Sequence, residues 1–191
     1  VINIHRIDTK NIGDYYCAPH HYFEALNGKF LDIFDYKNEK EDIRNNYIDS
    51  VCHKSIIIGG GGLLNRGGFE MQLKLFEKIA EKGKKIVLAV TGSISAYKAL
   101  FLLRLLVKEG ADVKVIMSKS AHDFIQPLSF STLSKHPVCS DFTESELNGV
   151  WNNHVEMALW ADLILVAPCT ANTLAKYASG MFDSYLLAVL M

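Results

Sequence analysis

The segment Lys85-Ile86-Val87-Leu88-Ala89-Val90 is apolar at both odd and even positions after its first residue. A strand wetted on one face alternates apolar and polar side chains, so this one requires cover on both faces, as a parallel strand has inside a layered α/β sheet. Two further segments repeat the pattern. Val113, Val115, Ile116 and Met117 predict a strand over 112–117, and the apolar residues 163–167, bounded by Asp162 and Pro168, predict a third. Between the first two, Ala99, Leu102, Leu103, Leu106 and Val107 share one helical face over about 95–109, and Gly110 stops the helix.

Strands alternating with helices at about 30 residues per unit predict an α/β fold, an open right-handed parallel sheet with flanking helices, Rossmann-like (flavodoxin-like), over 83–191. Residues 1–82 form a smaller preceding α/β segment. There the apolar run 1–4 and the strand 55–58 bracket a helix over about 19–26, and Gly59-Gly60-Gly61-Gly62 follows the strand. Phe69, Leu73, Phe76, Ile79 and Ala80 then fall on one face of a helix over 68–83, capped by Gly83. The apolar run 185–191 is expected to be a helix that packs on strands still to come, which leaves apolar surface uncovered where the sequence stops.

Charge excludes some partners. Residues 1–82 carry 11 basic and 12 acidic side chains and residues 83–191 carry 9 of each, so neither part attracts nucleic acid or an anionic membrane. No apolar run approaches the roughly 20 residues that span a bilayer. No secretory signal is visible at the start, and a cytoplasmic location is expected. Cys17, Cys52, Cys139 and Cys169 lack CxxC spacing, so reduced, mostly buried thiols are expected rather than a zinc site or a disulfide framework, and no metal is expected.

The turn Thr91-Gly92-Ser93-Ile94-Ser95 joins a buried strand to a helix, which makes it either a phosphate cradle or a simple tight turn. It is not a GxGxxG dinucleotide fingerprint. The Gly59 to Gly62 run permits close backbone approach or merely makes a flexible turn. Thr170-Ala171-Asn172-Thr173 follows a strand, where open α/β sheets bind ligands, and it also reads as an ordinary helix cap. His154 is either a structural or surface residue or a proton-exchanging one, its ordinary pKa lying near 6.5. His122 and His136 read as solvated, and Trp151 and Trp160 as core or interface residues.

Four blocks carry a resemblance: 90–98 around Thr91-Gly92-Ser93-Ile94-Ser95; 117–125 around Ser118-Lys119-Ser120; Trp151-Asn152-Asn153-His154-Val155-Glu156; and 160–176 through Thr170-Ala171-Asn172-Thr173. In this order they resemble the flavin-dependent cysteine decarboxylases, most closely the phosphopantothenoylcysteine decarboxylase domain, over 85–191. The resemblance implies FMN as cofactor, held by Gly92, Ser93, Ile94, Ser95, Ser118, Lys119, Ser120, Thr170, Ala171, Asn172 and Thr173. It implies His154 as the catalytic residue and Asn153 as a substrate contact. The reaction implied is decarboxylation of 4′-phosphopantothenoylcysteine to 4′-phosphopantetheine in coenzyme A biosynthesis, by way of a thioaldehyde and an enethiol. It also implies a small-molecule substrate and a trimer-based homo-oligomer with FMN at a subunit contact. Because every flavin block follows Lys85, residues 1–82 are expected to be dispensable for flavin binding.

Departures from the family are Cys169 in place of a small residue and an approximate Gly180-Met181-Phe182-Asp183-Ser184 block. The family's later Pro-Ala-Met-Asn segment and its clamp cysteine have no counterpart, which leads to the expectation that catalysis stalls at the enethiol. Residues 1–82, through Asn11-Ile12-Gly13-Asp14-Tyr15-Tyr16 and 57–64, resemble the amino-terminal part of polysaccharide pyruvyl transferases. Three functions therefore compete: an FMN-dependent lyase, a pyruvyl transferase, and a non-catalytic flavin-binding protein.

Overall fold

A computed structural model gives the structure of the protein and describes residues 2–5, 30–32, 56–59, 84–145 and 150–191. The strands are β1 (Ile2–His5), β2 (Phe30–Asp32), β3 (Ile56–Gly59), β4 (Lys85–Val90), β5 (Asp112–Met117), β6 (Thr143–Ser145), β7 (Val150–Trp151) and β8 (Leu163–Cys169). The helices are α1 (Ala99–Lys108), α2 (Pro127–Ser134), α3 (His154–Trp160), α4 (Ala171–Ala178) and α5 (Tyr185–Val189), with tight 3-10 turns at Ile94–Lys98 and Lys119–Asp123. Six strands make one parallel sheet in the order β2-β1-β3-β8-β4-β5, while β6 and β7 form a separate antiparallel pair.

The unbroken apolar character of β4 has the predicted consequence. Its alternate side chains divide between two cores. Ile86, Leu88 and Val90 face a cluster with Val113, Val115, Met117, Leu163 and Leu165, closed by Leu102, Leu103 and Leu106 of α1 and Phe130 of α2. Val87 and Ala89 face the other cluster with Ile116, Ile164 and Val166, closed by Leu174 of α4 and the apolar residues of α5. Helices therefore cover both faces of the sheet.

Strands β4 and β5 have the predicted bounds, and β8 runs two residues past Ala167 because Pro168 and Cys169 stay buried in extended backbone. The helix predicted from residue 95 begins as a 3-10 turn instead, with the Ala96 amide bonded to the Ser93 carbonyl. Such tightening is common at helix starts. Helices predicted over 19–26 and 68–83 lie outside the described residues.

The expectation of an uncovered carboxyl-terminal helix is corrected. All five residues of α5, and Leu190 after them, are buried against the second core. Further strands do continue the sheet, and they come from the amino-terminal segment. β3 pairs with the outer edge of β8 in the register Ile56 to Leu165, Ile57 to Val166 and, after a shift, Gly59 to Cys169. The two segments distinguished in the sequence thus share one sheet.

Candidate active site

The chain passes from β4 outward to β5 and then returns across β4 to β8. A crevice at the carboxyl ends of the strands is expected where the strand order reverses in this way. The turns that follow β4, β5 and β8 are the three hydroxyl-rich segments singled out in the sequence.

Thr91, fully buried at the end of β4, ties two of them together. Its hydroxyl donates to the Pro168 carbonyl at 2.6 Å and accepts from the Thr170 amide at 3.0 Å. Gly92 brings in the third turn. A Cβ at this position would lie 2.5 Å from Ser120 Oγ and 2.6 Å from the Ser120 carbonyl oxygen, so only glycine lets the two backbones approach this closely. The Ser118 amide, bonded to the Val90 carbonyl at 3.0 Å, fixes that approach.

Local hydrogen bonds shape each turn. Ser93 Oγ accepts from the Ser95 amide and lies 2.8 Å from Ser95 Oγ. The Ser118 and Ser120 hydroxyls are 3.1 Å apart. Thr170 Oγ1 accepts from the Thr173 amide at 3.3 Å, which makes Thr170 the amino-terminal cap of α4. The cap reading and a place at the cavity both hold, because Thr170 also lines it.

That cavity has a volume of about 390 Å³. Its wall includes Ser118, Lys119, Ser120, Thr170, Asn172 and Thr173 from the predicted set. Gly92, Ser93, Ile94, Ser95 and Ala171 are not in its wall; Gly92 packs against Ser120, and the Ile94 side chain is 81% exposed. Two ion pairs stand at the wall: Lys119 with Asp141 at 2.9 Å, and Lys176 with Asp183 at 2.6 Å. Sequence reasoning passed over Asp141, Phe142, Asp183 and Tyr185, all of them lining residues. The Tyr185 phenol is pushed well above its ordinary value, first by burial and then by the charge and hydrogen bond of neighbouring Cys139. Burial also raises the Tyr177 phenol.

His154 and Asn153 line a second, adjacent cavity of about 510 Å³ with Trp151, Val155 and Glu156. Asn153 caps α3, its Oδ1 accepting from the Val155 and Glu156 amides at 3.1 and 3.2 Å. His154 stacks on Trp151, with ring centroids 6.4 Å apart, and meets Phe142 edge-on at 5.8 Å. His154 Nδ1 is buried and has no hydrogen-bond partner among the described residues. The other two histidines are not simply solvated. His122 Nε2 lies 2.8 Å from Ser140 Oγ, and His136 Nε2 lies 2.7 Å from Asp112 Oδ1, because each loop folds its ring onto a neighbouring polar group. Trp160 packs against the second core under the Lys114 ammonium, 4.2 Å from its ring, whereas Trp151 is largely exposed. Cys139 and Cys169 are buried, as expected of thiols in this chain.

Among the described residues, no group of three or more His, Cys, Asp or Glu side chains is placed to hold a metal ion, and no helix is long and apolar enough to cross a membrane.

Comparison with known proteins gives the same picture over the same residues. The chain is 46% identical over 108 residues to the coenzyme A biosynthesis bifunctional protein CoaBC of Bacillus subtilis (strain 168), a match covering 56% of this chain and 26% of that protein. The chain thus spans about a quarter of the length of the curated relatives it matches. Among solved structures, MrsD from Bacillus sp. HIL-Y85/54728 is 31% identical with a TM-score of 0.50, covering 56% of this chain and 60% of that one. TvaF, described as an FMN-dependent cysteine decarboxylase from thioviridamide biosynthesis, is 27% identical with a TM-score of 0.52, covering 56% of this chain and 66% of that one. Residues 76–191, more than half of the chain, match the Flavoprotein family, and the protein belongs to that family.

Proposed function

We propose that the protein binds FMN in the cavity at the carboxyl ends of β4, β5 and β8 and decarboxylates 4′-phosphopantothenoylcysteine to 4′-phosphopantetheine. The observation that carries this reading is that the hydroxyl-bearing turns after β5 and β8 line one cavity and are held to the turn after β4, where a single Cβ on Gly92 would collide with Ser120. Its volume lies within the range of small-molecule and cofactor sites. The donor set suits the cofactor. A phosphate dianion takes hydroxyl donors with a cation close by; Ser118, Ser120 and Lys119 supply these from the cavity wall, and Ser93 and Ser95 stand on the turn whose Gly92 packs against Ser120. Asn172, Thr170 and Thr173 offer polar groups to the remainder of the molecule, against the apolar wall of Phe142, Leu186 and Leu187.

When bound, FMN would supply the two-electron oxidation of the thiol-bearing carbon that makes it an electron sink for loss of carbon dioxide, and would return the same two electrons afterwards, so that the reaction is redox-neutral overall. The chain's own residues hold the reactants and manage protons. Thr91 keeps the turns after β4 and β8 in register, and Gly92 keeps the Ser120 turn against them. His154 is the proton-exchanging residue. It lines the second cavity, and a proton passes to or from substrate at the ring nitrogen other than the buried Nδ1. Asn153 borders the same cavity and contacts substrate through groups left over from its cap.

A homo-oligomer with the cofactor at a subunit contact belongs to the same reading. It is supported by the exposed apolar row Ile94, Tyr97 and Phe101 beside the Ser93–Ser95 turn. A cytoplasmic location fits a phosphorylated substrate, whose charge does not enter a lipid core.

The test is incubation of the flavin-loaded chain with 4′-phosphopantothenoylcysteine, following by mass a product that has lost carbon dioxide. Product is expected, with a rate at least about a hundredfold lower in His154→Asn at unchanged flavin content. A flavin-loaded chain that leaves the substrate intact, or a His154→Asn protein of normal rate, contradicts the proposal.

A further inference from the structure

Phe142 links the cofactor cavity to His154. Its side chain lines the cofactor cavity, while its ring meets His154 edge-on, with centroids 5.8 Å apart and planes at 87°. On the other side the same ring meets Tyr185 edge-on at 5.7 Å and 82°. Tyr185 is itself fixed, buried in the second core and hydrogen-bonded to Cys139. Backbone contacts restrain Phe142 as well. Its carbonyl accepts from the Asn152 amide at 2.7 Å, two residues before His154, and the Asn152 side chain donates to the Asp141 carbonyl at 2.8 Å.

A proton-exchanging histidine is ordinarily oriented by a hydrogen bond that its second ring nitrogen donates to a carboxylate or carbonyl oxygen. His154 has no such restraint on Nδ1 among the described residues. Two rings hold the imidazole instead, Trp151 stacked at 17° on one side and Phe142 edge-on at the other. Edge-on and offset-stacked arrangements are the favoured aromatic geometries, so this pair of contacts defines one ring orientation.

We infer that Phe142 is a positioning residue, which fixes the His154 imidazole relative to the cofactor cavity by ring contact in place of a hydrogen bond. The inference rests on the reading of His154 given above. It predicts that ring loss acts on catalysis and not on cofactor retention, because small misplacements of a reacting group cost rate steeply.

The experiment uses the flavin-loaded full chain carrying Phe142→Leu, Phe142→Tyr or Trp151→Leu. In Phe142→Leu, kcat is expected to fall about 10- to 100-fold with KM and flavin content within about threefold. Phe142→Tyr, which keeps the ring, recovers most of that loss. The loss disappears in a His154→Asn background, where there is no imidazole left to position. Trp151→Leu changes a largely exposed side chain and is expected to act in the same direction if Phe142→Leu does not fold. The carbon–proton NMR signals of the His154 ring give a readout independent of turnover, and they are expected to shift in Phe142→Leu and in Trp151→Leu. A His154 signal unmoved by Phe142→Leu, or an equal rate loss with and without His154, overturns the inference. So does flavin loss as the main effect. If even the unsubstituted chain does not turn over, the decarboxylase reading fails, and the NMR signals alone decide the role of Phe142.

Discussion

Replacing Gly92 with alanine tests the packing of the turns after β4 and β5 where Gly92 meets Ser120. The added Cβ would meet the Ser120 carbonyl oxygen at 2.6 Å and its carbonyl carbon at 2.7 Å, against an ordinary contact distance that begins at 3.4 Å. The turn must therefore retreat by about 0.8 Å, a distance that a side-chain rotation cannot supply because the obstructing atoms include backbone. Retreat strains the bond from the Ser118 amide to the Val90 carbonyl and that from the Ala121 amide to the Ser118 carbonyl. Overpacking of this kind costs about 1–3 kcal/mol, which lowers the urea midpoint by about 1 M at a typical slope near 2 kcal/mol/M. The hydroxyls of Ser118 and Ser120 move with the turn, so flavin affinity should fall by more than stability alone explains. Urea unfolding followed by tryptophan fluorescence gives the first quantity, and FMN titration by quenching of flavin fluorescence gives the second. A Gly92→Ala protein with an unchanged midpoint and unchanged FMN affinity would refute the reasoning.

Two other perturbations have definite signs. The buried Tyr185 phenol titrates above its unfolded value of about 10, so the native state keeps a proton that the unfolded chain releases; stability should decline as pH rises above about 10, and Tyr185→Phe should flatten that decline in urea midpoints measured across the range. Ile57→Pro removes the single amide donor of a residue that lies between Asn3 and Val166 in the sheet, at a cost of about 1–3 kcal/mol for the acceptor left unsatisfied. Both tryptophans of the chain lie after residue 85, so their unfolding midpoint should drop in this variant if β3 supports the rest of the sheet. An unchanged midpoint would show that it does not.

The strands β4, β5 and β8 were legible because burial on both faces leaves an unbroken apolar run, and the turns after them because Ser, Thr and Gly concentrate there. What surrounds those turns was not legible. Phe142 and Tyr185 are 43 residues apart in the chain and meet only in the folded state, so no spacing rule brings them together. The buried position of α5 was misjudged for a related reason. Its apolar residues show that it needs cover, but not that this chain's own sheet provides it. β2, with only Phe30-Leu31-Asp32, is too short for a periodic signal, and its pairing with β1 is a matter of sheet topology. His122 and His136 read as solvated because their partners, Ser140 and Asp112, lie 18 and 24 residues away.

The central claim is that the crevice between β4, β5 and β8 is an FMN site. The most direct measurement is the mass of the ligand released on heating the purified chain, taken with its absorbance spectrum before release. FMN in near-equal amount to protein, with a flavin band near 450 nm, is the predicted result. FAD or a nicotinamide dinucleotide as the main species, or protein that neither retains nor takes up FMN, would contradict the account.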